Sequence, residues 1–166
     1  MKMKFSIDID VPAEKSWHKL CDGFGNTGEW TSLLDSSAMI GDVEPGSHRE
    51  CHIGKKVLTE NITHVDNLAM RIDYDLIKGR PAIVNAARNS WRVTSLGPNR
   101  SRVTMSPNMV MKWWAKPMGP LLVLGLNQTM PKVLEEFKFW AETGRVHPRK
   151  AKRNKDGKAR QMAVTT

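Results

Sequence analysis

Between Met3 and Val11 the chain alternates: Met3, Phe5, Ile7, Ile9 and Val11 share one side, and Lys4, Ser6, Asp8 and Asp10 the other. That period of two predicts a half-buried strand. Pro12 ends it and suits the first turn of a helix, where Ala13, Trp17, Leu20 and Cys21 recur at helical spacing. Gly23-Phe24-Gly25-Asn26 interrupts, and a second short helix is expected around residues 29–34. From Ser36 to Met111 turn signals recur at Pro45-Gly46, Gly54-Lys55, Asp66-Asn67, Lys78 to Pro81 and Gly97-Pro98-Asn99. They predict an antiparallel meander of about six strands. Leu122, Leu126, Met130, Val133, Leu134, Phe137, Trp140 and Ala141 then return at steps of mostly three and four, which predicts a long helix over residues 119–143 with Gly144 as its stop.

Strand parity follows from asking which register leaves the charges in water. It turns Met70, Ile72, Tyr74 and Leu76 inward on one strand, Asn85, Ala87, Asn89, Trp91 and Val93 on the next, and Val103 and Met105 on the last. The strand over residues 57–65 is less clear. Leu58, Glu60, Ile62 and His64 share one face, and Val57, Thr59, Asn61, Thr63 and Val65 the other. A Thr-Asn-Thr row suits a solvated surface, which sends Glu60 and His64 inward among aliphatic residues. The opposite register leaves Glu60 in water. A buried carboxylate needs partners, so an inward Glu60 implies a polar pocket, water or ligand beside it.

Composition narrows the function. The chain has 166 residues, the size of one domain, and 40 % of them are apolar, which excludes wholesale disorder. Its formal charge is +9, but residues from Arg145 onward hold +7 of it, so the body is not a strongly basic nucleic-acid-binding surface. A domain over residues 1–147 is expected, followed by a basic, disordered tail over 148–166 with at most weak contact with anionic surfaces. The apolar stretch at Leu121–Leu126 is too short to cross a bilayer, and the N-terminus lacks a signal-peptide apolar region. Cys21 and Cys51 supply neither a disulfide framework nor a metal-ligand spacing, and a cytoplasmic setting is expected.

Several short segments, taken in order, resemble one family. They are Val11-Pro12-Ala13-Glu14-Lys15-Ser16-Trp17, Pro45-Gly46-Ser47-His48-Arg49, Thr59-Glu60-Asn61-Ile62, Ser90-Trp91-Arg92-Val93, Leu134-Glu135-Glu136-Phe137-Lys138 and Glu142-Thr143-Gly144. Their order and spacing resemble the polyketide cyclase/dehydrase group of the START-like (birch-pollen-allergen) superfamily over about residues 3–147. The resemblance implies an α+β helix-grip fold: a seven-stranded curved antiparallel sheet around a long C-terminal helix, two short helices after the first strand, and an apolar cavity. The Thr59-Glu60 match resembles a cavity-lining glutamate of plant hormone receptors in that superfamily. The gate loop of those receptors has no counterpart at Gly54-Lys55-Lys56.

Within such a cavity the ligand-contacting residues are expected to be Leu58, Glu60, Ile62, His64, Ile72, Tyr74, Asn85, Asn89, Trp91, Met130 and Leu134. Binding of a small hydrophobic or amphipathic ligand, without cofactor or metal, is the leading expectation. The alternative is a cyclase or dehydratase in which Glu60, His64 and Tyr74 move protons and Asn85 and Asn89 orient a carbonyl. His48, Glu50 and His52 alternate at a spacing that can hold a metal, but parity sends them to solvent. Gly23, Gly25 and Gly28 match the spacing of a dinucleotide-binding turn but follow a helix instead of a strand, so a plain loop is expected. Trp113-Trp114 precedes the long helix and is read either as a cavity gate or lipid contact, or as core beneath a loop.

Overall fold

The alternating opening forms β1 (Phe5–Ile9) in the computed structural model of the chain, which describes residues 1–164, with side chains through residue 157. Next come α1 (Ala13–Cys21), a 3₁₀ turn at Phe24–Asn26 and α2 (Thr27–Trp30). The strands that follow are β2 (Ser36–Ile40), β3 (His48–Ile53), β4 (Lys56–Asp66), β5 (Arg71–Lys78), β6 (Val84–Gly97), β7 (Arg100–Met105) and β8 (Asn108–Met111). A 3₁₀ turn at Trp113–Met118 leads into α3 (Gly119–Thr143), and α4 (Pro148–Val164) ends the described chain.

The sheet is antiparallel in the order β1-β7-β6-β5-β4-β3-β2. β8 is the continuation of β7 beyond Pro107: β6 pairs with β8 over Val84–Arg88 and with β7 over Trp91–Gly97. The sheet therefore has seven positions, curved around α3 as in a helix grip. α3 buries Val133, Leu134, Phe137 and Ala141, spaced to put one stripe on the sheet. Phe137 is fully buried, with its ring centroid 5.3 Å from that of Trp30 and 6.2 Å from that of Trp91. No α3 residue before Val133 is buried. One end of the helix is thus core and the other is not.

Four register shifts interrupt the sheet, and two of them move residues singled out from the sequence. On β4, Ile62 faces Tyr74 and His64 faces Asp73, so Thr63 is an extra residue. On β6, Val84 faces Met111 and Ala86 faces Val110, so Asn85 is extra. Each bulge reverses the inward and outward assignment on one side of it.

The tail expected to be disordered instead forms α4, and its first turns dock on the body. Arg149 Nε donates to Glu136 Oε1 at 2.9 Å and its Nη2 to Glu135 Oε2 at 2.8 Å. Lys150, almost wholly buried, donates from Nζ to the Leu34 carbonyl at 2.6 Å. Arg153 Nε donates to Asp35 Oδ1 at 2.7 Å. Composition alone reads such a segment as solvated, because its partners lie more than a hundred residues away in the loop after α2 or out of register on α3. The remainder of the tail expectation, on side chains from Lys158 onward, falls outside the described residues.

Candidate functional site

Between the sheet, the two short helices and α3 lies a mainly apolar cavity of about 210 Å³. Three cross-strand pairs build its polar wall. Arg49 on β3 is directly opposite Glu60 on β4, Glu60 is opposite Leu76 on β5, and Tyr74 is opposite Asn89 on β6. Arg49, Glu60, Tyr74, Leu76 and Asn89 all line the cavity.

Arg49 is 3 % exposed, so nearly all its hydrogen-bond donors must find protein partners. Nε donates to Glu60 Oε2 at 2.7 Å, and Nη2 donates to the same oxygen. Nη1 donates to the Phe24 carbonyl and to Thr27 Oγ1, both at 2.8 Å. The guanidinium carbon lies 3.6 Å from the centre of the Phe24 ring. Burial by itself would lower the Arg49 pKa, but the neighbouring Glu60 carboxylate outweighs it and holds the guanidinium charged. Arg49 thereby ties the segment from Phe24 to Thr27 to the sheet. That segment approaches β2 so closely that a Cβ on Gly28 would sit 2.5 Å from the Ser36 carbonyl carbon, and one on Gly25 2.8 Å from Met39 Cγ. Close packing accounts for these two glycines of the run.

Glu60 uses one oxygen only. Its hydrogen bonds with Arg49, and a long one from the Cys51 thiol at 3.9 Å, all reach Oε2. No fully buried side-chain nitrogen or oxygen among the described residues lacks a partner, so the unpartnered Oε1 reaches open space, and the cavity is the space that Glu60 lines. The Tyr74 hydroxyl accepts from Asn89 Nδ2 at 2.9 Å and from Trp91 Nε1 at 3.3 Å. Its own proton has no protein acceptor among the described residues. Burial, with the charge of Glu60 adding to it, pushes the Tyr74 pKa up to about 12, so the hydroxyl stays protonated. Glu60 Oε1 and the Tyr74 O–H thus stand as an acceptor and a donor left available on the cavity wall. Burial also pushes Cys51 up to about 12, and it is no thiolate nucleophile at neutral pH.

Of the residues read from sequence, Leu58, Glu60, Tyr74, Asn89, Trp91 and Met130 line the cavity. Ile62, Ile72 and Leu134 do not; they are buried in the core around it. His64 is exposed on the outer face opposite Asp73, because the Thr63 bulge turns it over. Asn85 is the bulged residue of β6 and is exposed as well. Arg49 was missed. It lies on the face of its strand opposite His48, Glu50 and His52, which parity sends to solvent, and an inward Glu60 calls for a cation, so the signal was present. Phe24 and Thr27 gave no such signal, since irregular turns have no period.

The same architecture recurs in solved structures. Ara h 8.0201 superposes with a TM-score of 0.69 at 15 % identity, over 85 % of this chain and 97 % of that one. The Zhui aromatase/cyclase from Streptomyces sp. R1128 gives 0.68 at 14 % identity, over 89 % and 99 %. Norcoclaurine synthase from Thalictrum flavum gives 0.62 at 15 % identity, over 82 % and 84 %. At these identities the likeness is one of fold. No curated protein matches by sequence. The family model described as polyketide cyclase/dehydrase and lipid transport matches residues 1–139, which takes in every wall of the cavity, and the chain belongs to that family.

Proposed function

We propose that the cavity binds a compact, uncharged, largely apolar molecule carrying a hydroxyl or an enol beside a carbonyl. The observation that carries this reading is the half-used carboxylate: Glu60 Oε1 accepts, the Tyr74 hydroxyl donates, and Arg49 is neutralised by Glu60. A free anion would find the only buried cation of the cavity already paired, and a free cation would compete with Arg49 for Glu60. A volume near 210 Å³ lies below the roughly 300–1,000 Å³ usual for small-molecule sites, which favours a ring system over a long acyl chain.

A second reading draws on the same two groups. In a poly-ketone, Oε1 of Glu60 can take a proton from the carbon between two carbonyls while Tyr74 donates to the enolising oxygen, the proton exchange that a cyclase or dehydratase needs. One experiment addresses both readings. Binding of 2-naphthol, naphthalene and 2-naphthoate is measured by calorimetry for the parent and Tyr74→Phe, together with deuterium uptake by a β-diketone. Binding in the order naphthol, naphthalene, naphthoate, with naphthol about fivefold weaker in Tyr74→Phe, supports the binding role. Uptake that the parent accelerates and Tyr74→Phe slows by roughly 10²-fold supports the enzyme. Preference for naphthoate overturns the uncharged-ligand assignment.

A further inference from the structure

Six of the exposed apolar side chains lie close together along the chain. Trp113 is 81 % exposed, Leu121 67 %, Leu124 54 % and Trp114 51 %, with Val110 and Met118 also exposed. They belong to consecutive elements: β8, the Trp113–Met118 turn and the first turns of α3. Single exposed hydrophobics are ordinary, but a contiguous set of this kind marks a contact surface. From Met118 to Leu126 there is no polar side chain, and a helix apolar on all sides is normally enclosed by protein or lipid. No helix among the described residues is long and apolar enough to cross a membrane, so the segment can lie on a bilayer but not span it.

Charge identifies the partner. Between Leu76 and Leu134 the sequence has nine Lys and Arg and neither Asp nor Glu. Arg88, Arg100 and Arg102 are taken up by Asp75, Asp8 and Asp10. Lys112 and Lys116, which flank the two tryptophans, form no ion pair among the described residues. The Lys112 amide donates to the Ile83 carbonyl at 3.0 Å, in the connection that carries Arg80 and follows Lys78 at the end of β5. An indole as exposed as Trp113 projects from the surface, and a fluid interface receives it without a matching pocket, as a rigid protein surface would not. Tryptophan at headgroup depth with lysines reaching to phosphates is the chemistry of an anionic bilayer surface.

We infer that this segment docks on anionic phospholipid membranes through Trp113, Trp114, Leu121 and Leu124, with Lys112 and Lys116 at the headgroups. Met109 and Leu126, on the same elements, line the cavity, so the docked surface adjoins the site of cargo. The inference stands independently of the molecule bound there.

Flotation of the full chain with phosphatidylcholine vesicles, with and without phosphatidylserine, tests it. The parent is expected to float with the serine-containing vesicles. Trp113→Ser/Trp114→Ser, checked for an unchanged cooperative melt, is expected to bind at least about tenfold more weakly. Each of Lys112→Ala and Lys116→Ala is expected to weaken binding roughly fivefold. A parent that floats with neither vesicle overturns the inference. So does a tryptophan variant that floats as well as the parent, which moves the contact to the basic tail. A concentration-dependent dimer abolished by the tryptophan variant also overturns it, since the patch then belongs to a second copy of the chain.

Discussion

Glu60 and Glu136 are both shielded carboxylates paired with an arginine, yet they do different work. Glu136 is 0 % exposed and both its oxygens are occupied: Oε2 by the Thr31 hydroxyl and the Ser32 amide, Oε1 by the Ser32 hydroxyl and Arg149. Burial pushes its pKa up, but the Ser32 hydroxyl and amide, Arg149 and Thr31 outweigh it and hold the carboxyl below its usual range. Glu60 has one oxygen committed to Arg49 and one left to the cavity. On the proposed reading of Glu60, a staple differs from a site not in burial but in the completeness of its hydrogen bonding.

The largest effect is expected at Arg49. Arg49→Met leaves Glu60 without a counter-charge and also frees the Phe24 carbonyl, costing about 3–5 kcal/mol in denaturant unfolding. The double variant Arg49→Met/Glu60→Leu should recover most of that loss. A double variant no more stable than the single one would show that the two groups are not energetically coupled. By the same physics Glu60→Gln is expected to cost stability, because it strands the charge on Arg49.

At Glu136 a smaller loss of about 1–3 kcal/mol is expected from Glu136→Ala, since Arg149 is partly exposed and can turn to water. Amide exchange should rise in the first turns of α4 while naphthol binding stays as in the parent. Because the folded-state pKa of Glu136 is lowered, its contribution is complete above the ordinary value near 4.5 and is lost as pH falls through the folded value. The slope of stability against pH below 4.5 should therefore be shallower in Glu136→Ala; an unchanged slope would remove Glu136 from the acid response.

The smallest effect is spectroscopic. Tyr74 is the only tyrosine of the chain, so absorbance titration reports it alone. Its midpoint is expected at about 12 instead of the ordinary 10. With the folded value raised, the stability it contributes is present below pH 10 and declines as pH rises towards 12. A midpoint near 10 would mean that the cavity wall is open to water, and the difference between the two carboxylates would lose its basis.

The amino-acid sequence by itself determined the order of elements as far as α3, the stripe of α3 that becomes core and the inward course of Tyr74, Asn89 and Trp91, while for Glu60 it left two registers open. Those follow from periodicity and from the cost of burying charge, which act locally. Tertiary structure decided the rest. The bulges at Thr63 and Asn85 turned His64 and Asn85 outward, because one inserted residue reverses a period of two and leaves no mark in composition. The partner of Glu60 proved to be Arg49, and Arg149 and Lys150 found Glu136 and the Leu34 carbonyl, so a segment that reads as solvated is docked over its first turns. Contacts between residues far apart in the chain are set by how the sheet curves and where its strands shift, and no window along the sequence contains both partners.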